Sequence, residues 1–243
     1  MNLELNEDVI KELIGKLSVK GIIFDSEDDF KFSLAWLIKE KYGEHAEVRL
    51  ERRMSDNNGP KGNKVNERID IFIELQNGDS KKRTGIELKY YTSALECKGK
   101  GVNLASQGAE NLKRYDALRD IERLEKFKNE GKIDEGFAIW LTNDKGYWDC
   151  AKRSEEVEGK KSEKPDYYNF RICEGRTING DTLDWKNSKG DESKGKRKYP
   201  IKIIGKYTIH WDEYNVRCDE VSKNSIFKFA IIKIYHKGTA NRD

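Results

Sequence analysis

The succession of apolar patterns predicts an α/β fold, a mixed central β-sheet flanked by helices. Three observations carry that prediction: capped helical periodicity ahead of residue 43, two strand patterns joined across a tight turn, and a long helical stretch leading into an apolar strand. The chain has 243 residues, 36% hydrophobic and 37% charged, which suits a single domain with a modest core under a heavily charged surface. Its 47 basic and 44 acidic side chains leave a net charge of +3, so only local clustering would point to nucleic acid. No apolar run approaches the roughly 20 residues of a membrane span, and the N-terminus lacks a basic start followed by an apolar core. A soluble cytoplasmic protein with no membrane partner is expected. Cys97, Cys150, Cys173 and Cys218 match no close-spaced zinc pattern and read as free, buried thiols.

Residues 1–20 carry Val9, Ile10, Leu13, Ile14 and Leu17 at helical spacing. In the next helix Ser26 is the cap, Glu27, Asp28 and Asp29 sit at the positive end, Phe30, Leu34, Leu37 and Ile38 form the apolar face, and Gly43 is the stop. Residues 47–53 read as a short strand and 55–63 as a loop. Strand patterns at 68–75 and 84–91 flank an Asn77-Gly78 turn and make a hairpin. Residues 104–129 turn helical, with Leu112, Tyr115, Ile121, Leu124 and Phe127 inward and Gly131 as the stop. A strand at 136–142, reached across that helix, should run parallel to its predecessor. Residues 151–200 hold 13 basic and 10 acidic side chains with few apolar anchors, the composition of a charged surface insertion. Strands at 200–211 and 225–235 then close or extend the sheet. Trp36, Trp140, Trp148, Trp185 and Trp211 read as core or half-buried, with Trp148 beside Tyr147 a candidate for stacking on a base. His45, His210 and His236 lack ligand spacing and read as structural.

The sharpest chemical feature is Glu87-Leu88-Lys89 inside an apolar strand, with Asp70 inside the adjoining one. Alternation places Glu87 and Lys89 on one face, Ile86 and Leu88 on the other, and a hairpin brings Asp70 alongside. The acid-x-Lys spacing occurs eight times in the chain, but only here does it interrupt a strand pattern. A charge on a buried strand costs several kcal/mol unless it is paired or metal-bound. Two explanations fit: a structural ion pair on a solvated sheet face, or a site.

The order of helix, hairpin with Asp then Glu-x-Lys, helix and strand resembles the PD-(D/E)xK nuclease superfamily, the restriction endonuclease-like fold. The resemblance covers residues 26–142, about half of the chain, and makes them the predicted catalytic core of one domain spanning 1–243. On it, Asp70 matches the first acid, Glu87 the second and Lys89 the lysine, although Ile69 stands where the motif has proline. Glu27 resembles an extra acid on the preceding helix, with Glu40 as its rival. Gln107 resembles a polar residue near the site, and on a helix it would share a face with Asn111 and Arg114.

Phosphodiester hydrolysis explains these residue types independently. It needs a nucleophile at neutral pH and stabilisation of charge on the phosphoryl and leaving oxygens. Asp70, Glu87 and the Leu88 carbonyl are hard oxygen ligands suited to Mg²⁺ or Mn²⁺, and Lys89 can orient a water or hold a phosphate. Arg49, Arg52, Arg53, Lys98, Lys100, Lys194, Lys196, Arg197 and Lys198 are candidate phosphate contacts. The resemblance implies a metal-dependent DNA endonuclease of restriction or defence type, acting as a homodimer by default. The alternative is an inactive module that binds nucleic acid or protein on the same fold.

Overall fold

The computed structural model describes residues 3–54, 67–149, 166–185, 192–216, 218 and 224–235. The expected loop at 55–63, Cys150, His236 and much of the charged insertion lie outside them. Helices α1 (Glu7–Val19) and α2 (Glu27–Tyr42) precede strands β1 (Ala46–Arg53), β2 (Arg68–Asn77) and β3 (Ser80–Tyr91). Short strands β4 (Leu95–Cys97) and β5 (Val102–Leu104) lead to α3 (Glu110–Asn129), β6 (Glu135–Thr142) and the one-turn α4 (Lys145–Trp148). Then come β7 (Thr177–Asn179), β8 (Thr182–Leu183), β9 (Ile201–Lys202), β10 (Lys206–Thr208), β11 (Asp212–Tyr214) and β12 (Phe227–Ile234).

Six strands make the central sheet in the order β1-β2-β3-β6-β12-β11. Its neighbours are antiparallel except β3 and β6, which run parallel from Thr84↔Glu135 to Tyr91↔Thr142. The sheet is therefore mixed and the fold α/β, with α3 as the crossover. One sheet face carries Ile71, Ile73, Leu75, Ile86, Leu88 and Tyr90 against α1 and α2. The other carries Ile69, Phe72, Tyr91, Ala138 and Trp140 in a cluster with α3 and the segment beyond residue 166.

The sequence explains the first elements closely. Asn6 caps α1 by accepting from Val9 N at 3.0 Å, and Ser26 caps α2 by accepting from Asp29 N at 3.1 Å. The β2–β3 hairpin closes through Gly78 and Asp79, one residue later than an Asn-Gly loop, because Gly78 takes the left-handed position at φ +60°. No described helix is long and apolar enough to cross a membrane.

Other expectations are corrected. The described cysteines are not free: Cys97 at the end of β4 is bonded to Cys218, Cα to Cα 5.5 Å across 121 positions, and Cys173 is also in a disulfide. Sequence spacing could not show this, because β4 and the chain entering β12 meet only in the fold. Helix α3 begins at Glu110 instead of near 104. Ala109 sits at φ +61°, and the preceding segment is tied to the exit of β3 by Gln107 N to Thr92 O at 2.9 Å and Thr92 Oγ1 to Ala105 O at 2.7 Å. The run at 200–211 is two short strands, β9 and β10, paired with β8 and β7 outside the main sheet. The described parts of 151–200 are packed through Phe170, Ile172, Ile178, Leu183 and Trp185, which are buried, while Tyr199 is exposed. Trp36 is 63% exposed on the outer face of α2, where it meets only Phe32 among the described rings.

Candidate active site

The β2–β3 ladder runs from Asn77↔Ser80 to Ile71↔Ile86 and stops, while β3 continues beside β6 to Tyr91. From Glu87 onward β3 therefore offers an open edge, whose amides need acceptors. Two carboxylates supply them. Asp70 Oδ2 accepts from Leu88 N at 2.7 Å, and Glu27 Oε2, projected from the first turn of α2, accepts from Tyr90 N at 2.9 Å. In an extended strand the Leu88 carbonyl points to the same edge as its amide, and there Lys89 Nζ donates to it at 2.8 Å.

Lys89 Nζ also lies 2.8 Å from Asp120 Oδ2 on α3 and 3.8 Å from Glu27 Oε1. Glu87 is 1% exposed on the α3 face and pairs with Arg123. Arg123 further donates to Arg68 O at 2.8 Å and lies 3.5 Å from Asp120 Oδ1. From α2, Lys31 Nζ stands 3.8 Å from Asp70 Oδ1 and 2.8 Å from Asp28 Oδ1, and pairs with Glu51. Glu51 itself sits at φ +52°, skipped by the β1–β2 ladder between Leu50↔Ile71 and Arg52↔Ile69. A strained residue beside clustered charge is the kind of backbone that functional sites tend to hold.

Burial pushes the Glu87 carboxyl well above the usual range, and Asp120 and Asp70 push the same way against Arg123 and Lys89. Burial likewise raises Glu27, opposed by Lys89 and the Tyr90 amide. For Lys89 burial works downward, but Asp120, Glu27 and Asp70 outweigh it and raise the ammonium overall. Lys89 therefore stays charged at neutral pH.

Of the expected site residues, Asp70, Leu88, Lys89 and Glu27 come together at the open edge of β3, while Glu87 is buried on the α3 face against Arg123. Glu40 is exposed further along α2, away from that edge. Gln107 is in the loop before α3, not on a helical face with Asn111 and Arg114; its Oε1 accepts from Lys113 Nζ at 2.6 Å. Among the basic candidates, Arg52 covers the Phe72 ring at 4.0 Å, Lys100 donates to Gly21 O, and Arg197 makes a two-point pair with Asp116 at 2.7 Å. Trp148 leans on Trp211, and its neighbour Tyr147 is buried, stacked on Tyr91. Sequence reasoning missed Asp120, Arg123, Lys31 and Glu51. Asp120 had a signal: it interrupts the buried stripe of Ala117, Ile121 and Leu124, hidden by the density of charge along α3.

Among the described residues no three His, Cys, Asp or Glu side chains are arranged to hold a metal ion as they stand. Lys89 and Arg123 occupy the spaces between the carboxylates. The donor chemistry suits a hard divalent cation, because every available ligand is an oxygen. Lys89 is itself a bound cation, resting on the Leu88 carbonyl between Glu27 and Asp120. Comparison with known protein families, curated proteins and solved structures gives no match.

Proposed function

We propose that the chain is a metal-dependent endonuclease hydrolysing phosphodiester bonds in DNA, built on a restriction endonuclease-like variant of its α/β fold. One observation carries the reading. Where β2 leaves β3, the edge is closed by Asp70 and Glu27, with the Leu88 carbonyl and the Lys89 ammonium between them. A structural ion pair would not require acidic side chains to replace ladder acceptors.

Asp70, Glu87 and the Leu88 carbonyl would hold Mg²⁺ or Mn²⁺, with Glu27 beside them. When bound, the ion lowers the pKa of a coordinated water and neutralises charge on the phosphoryl oxygens. The Leu88 amide orients the Asp70 carboxylate through Oδ2, and Oδ1 lies 3.8 Å from Lys31 Nζ. Lys89 carries a permanent positive charge to the sheet edge, where it can orient a nucleophilic water or stabilise an oxyanion. Exposed Arg53, Lys98 and Lys196 supply sequence-independent phosphate contacts. A homodimer is the natural form for cutting both strands.

The second reading, a binding module, is favoured by the pairing of Glu87 with Arg123 and Lys89 with Asp120. Supercoiled plasmid and linear duplex incubated with Mg²⁺, Mn²⁺ or EDTA separate the two. The nuclease cuts only with metal, and Lys89→Ala and Asp70→Asn each lose about 10²-fold or more. Retarded duplex without cutting identifies the binding module. Neither binding nor cutting overturns both.

A further inference from the structure

We propose that Arg123 is the built-in counter-ion that a divalent cation must displace from Glu87, so that the guanidinium holds the site closed until the ion arrives. The inference rests on the metal-site reading above and concerns the regulation of that site.

Glu87 is 1% exposed and needs compensating charge. Arg123 supplies it from α3 while also bonding Arg68 O, bridging β2 and β3 where their ladder is open. The contact differs from the two forked pairs of Arg83 and Arg197, and from the one-point pairs of Arg49, Arg114 and Arg119 in that its carboxylate is 1% exposed where theirs are 49%, 46% and 23% exposed. Arg83 grips Asp134 through Nε and Nη2 at 3.1 and 2.9 Å, and Arg197 grips Asp116 through Nε and Nη2, both at 2.7 Å. These are the two-point forks that suit a permanent tie. Arg123 instead reaches Glu87 through Nη2, and its buried Nε has no hydrogen-bond partner among the described residues. Its side chain is also 26% exposed, so a route to solvent exists for the arginine but not for the carboxylate. A guanidinium hydrogen-bonded through Nη2 alone, with Asp120 Oδ1 at 3.5 Å from Nη1 and its side chain partly open to water, is the member of the pair that can leave. A divalent cation offers Glu87 a stronger partner, and the arginine then swings outward without a strand having to move.

The test is calorimetric titration with MnCl₂ of the full chain, its Arg123→Met and Arg123→Lys variants, and Asp70→Asn. Removing a unit of neutralising charge from a ligand should tighten binding by about tenfold in Arg123→Met, with Arg123→Lys in between and Asp70→Asn abolishing it. If the wild type binds in an Asp70-dependent way and Arg123→Met binds no tighter, the counter-ion role fails and the metal site stands. If no form binds Mn²⁺, the metal-site reading fails with it. Should Arg123→Met not fold, ¹⁵N spectra of the wild type decide. Saturation with Mg²⁺ should shift the Arg123 Nε–H signal and speed its exchange with water, whereas an unchanged signal overturns the proposal.

Discussion

Asp70 has two roles at the residue scale, acceptor for the Leu88 amide and proposed ligand, and substitution can separate them. Asp70→Asn keeps an oxygen for the amide but removes the charge. We expect it to fold with wild-type stability to within about 1 kcal/mol while losing cation binding and cleavage, whereas Asp70→Ala also strands the amide and costs roughly 1–3 kcal/mol. Chemical denaturation of both variants checks this. A pH dependence belongs to Asp134, whose carboxyl is held below its ordinary value of 3.8 because the Arg83 hydrogen bonds outweigh burial. A depressed folded-state value means stability that is in place above the unfolded value and lost as pH falls through the folded one. The pair is over a third exposed and screened, so Asp134→Asn should cost about 1 kcal/mol at pH 7. The gap to wild type should shrink below about pH 4. A gap constant with pH would contradict this assignment.

At the scale of elements, β3 is the member on which the others converge. Gly85 lies where a Cβ would come within 2.8 Å of Ile69 Cδ1 and 3.2 Å of Ile133 Cδ1, so β3 must be bare there for β2 and the approach to β6 to close around it. Gly85→Ala should destabilise by roughly 1–3 kcal/mol through overpacking, read as a lower denaturation midpoint. The Cys97–Cys218 bond ties β4 to the chain entering β12 across 121 positions, and the chain-entropy model gives it about 4–5 kcal/mol. Such bonds persist in oxidising surroundings and are removed in reducing ones, so a cytoplasmic setting demands a fold that survives without it. The Cys97→Ser/Cys218→Ser double variant should lose stability by no more than that amount and keep the proposed cleavage. The helices and hairpin were legible because caps, periodicity and a turn glycine act locally. The start of α3 was not, since Ala109 and the ties to Thr92 are set by where β3 ends.

Across the whole molecule, a mixed sheet with one parallel pair puts an open strand edge between α2 and α3. That placement explains how much of the site could be read in advance. Asp70, Glu87 and Lys89 were visible because charge inside an apolar strand needs a reason, and Glu27 because it opens a capped helix. Arg123 and Lys31 were not, since lysines and arginines on helices in a chain this rich in charge look like solvated surface until the strands bring carboxylates to them. The cysteine pairing and the burial of Phe170 and Trp185 against Tyr115 likewise depend on long-range closure. The central claim is that this edge seats a divalent cation. Crystals soaked in Mn²⁺ and measured at its absorption edge test it directly. The account predicts an anomalous peak within about 2.0–2.6 Å of an Asp70 carboxylate oxygen and the Leu88 carbonyl, with Lys89 and Arg123 moved aside. A peak elsewhere, or an edge still filled by both side chains at saturating metal, would contradict it.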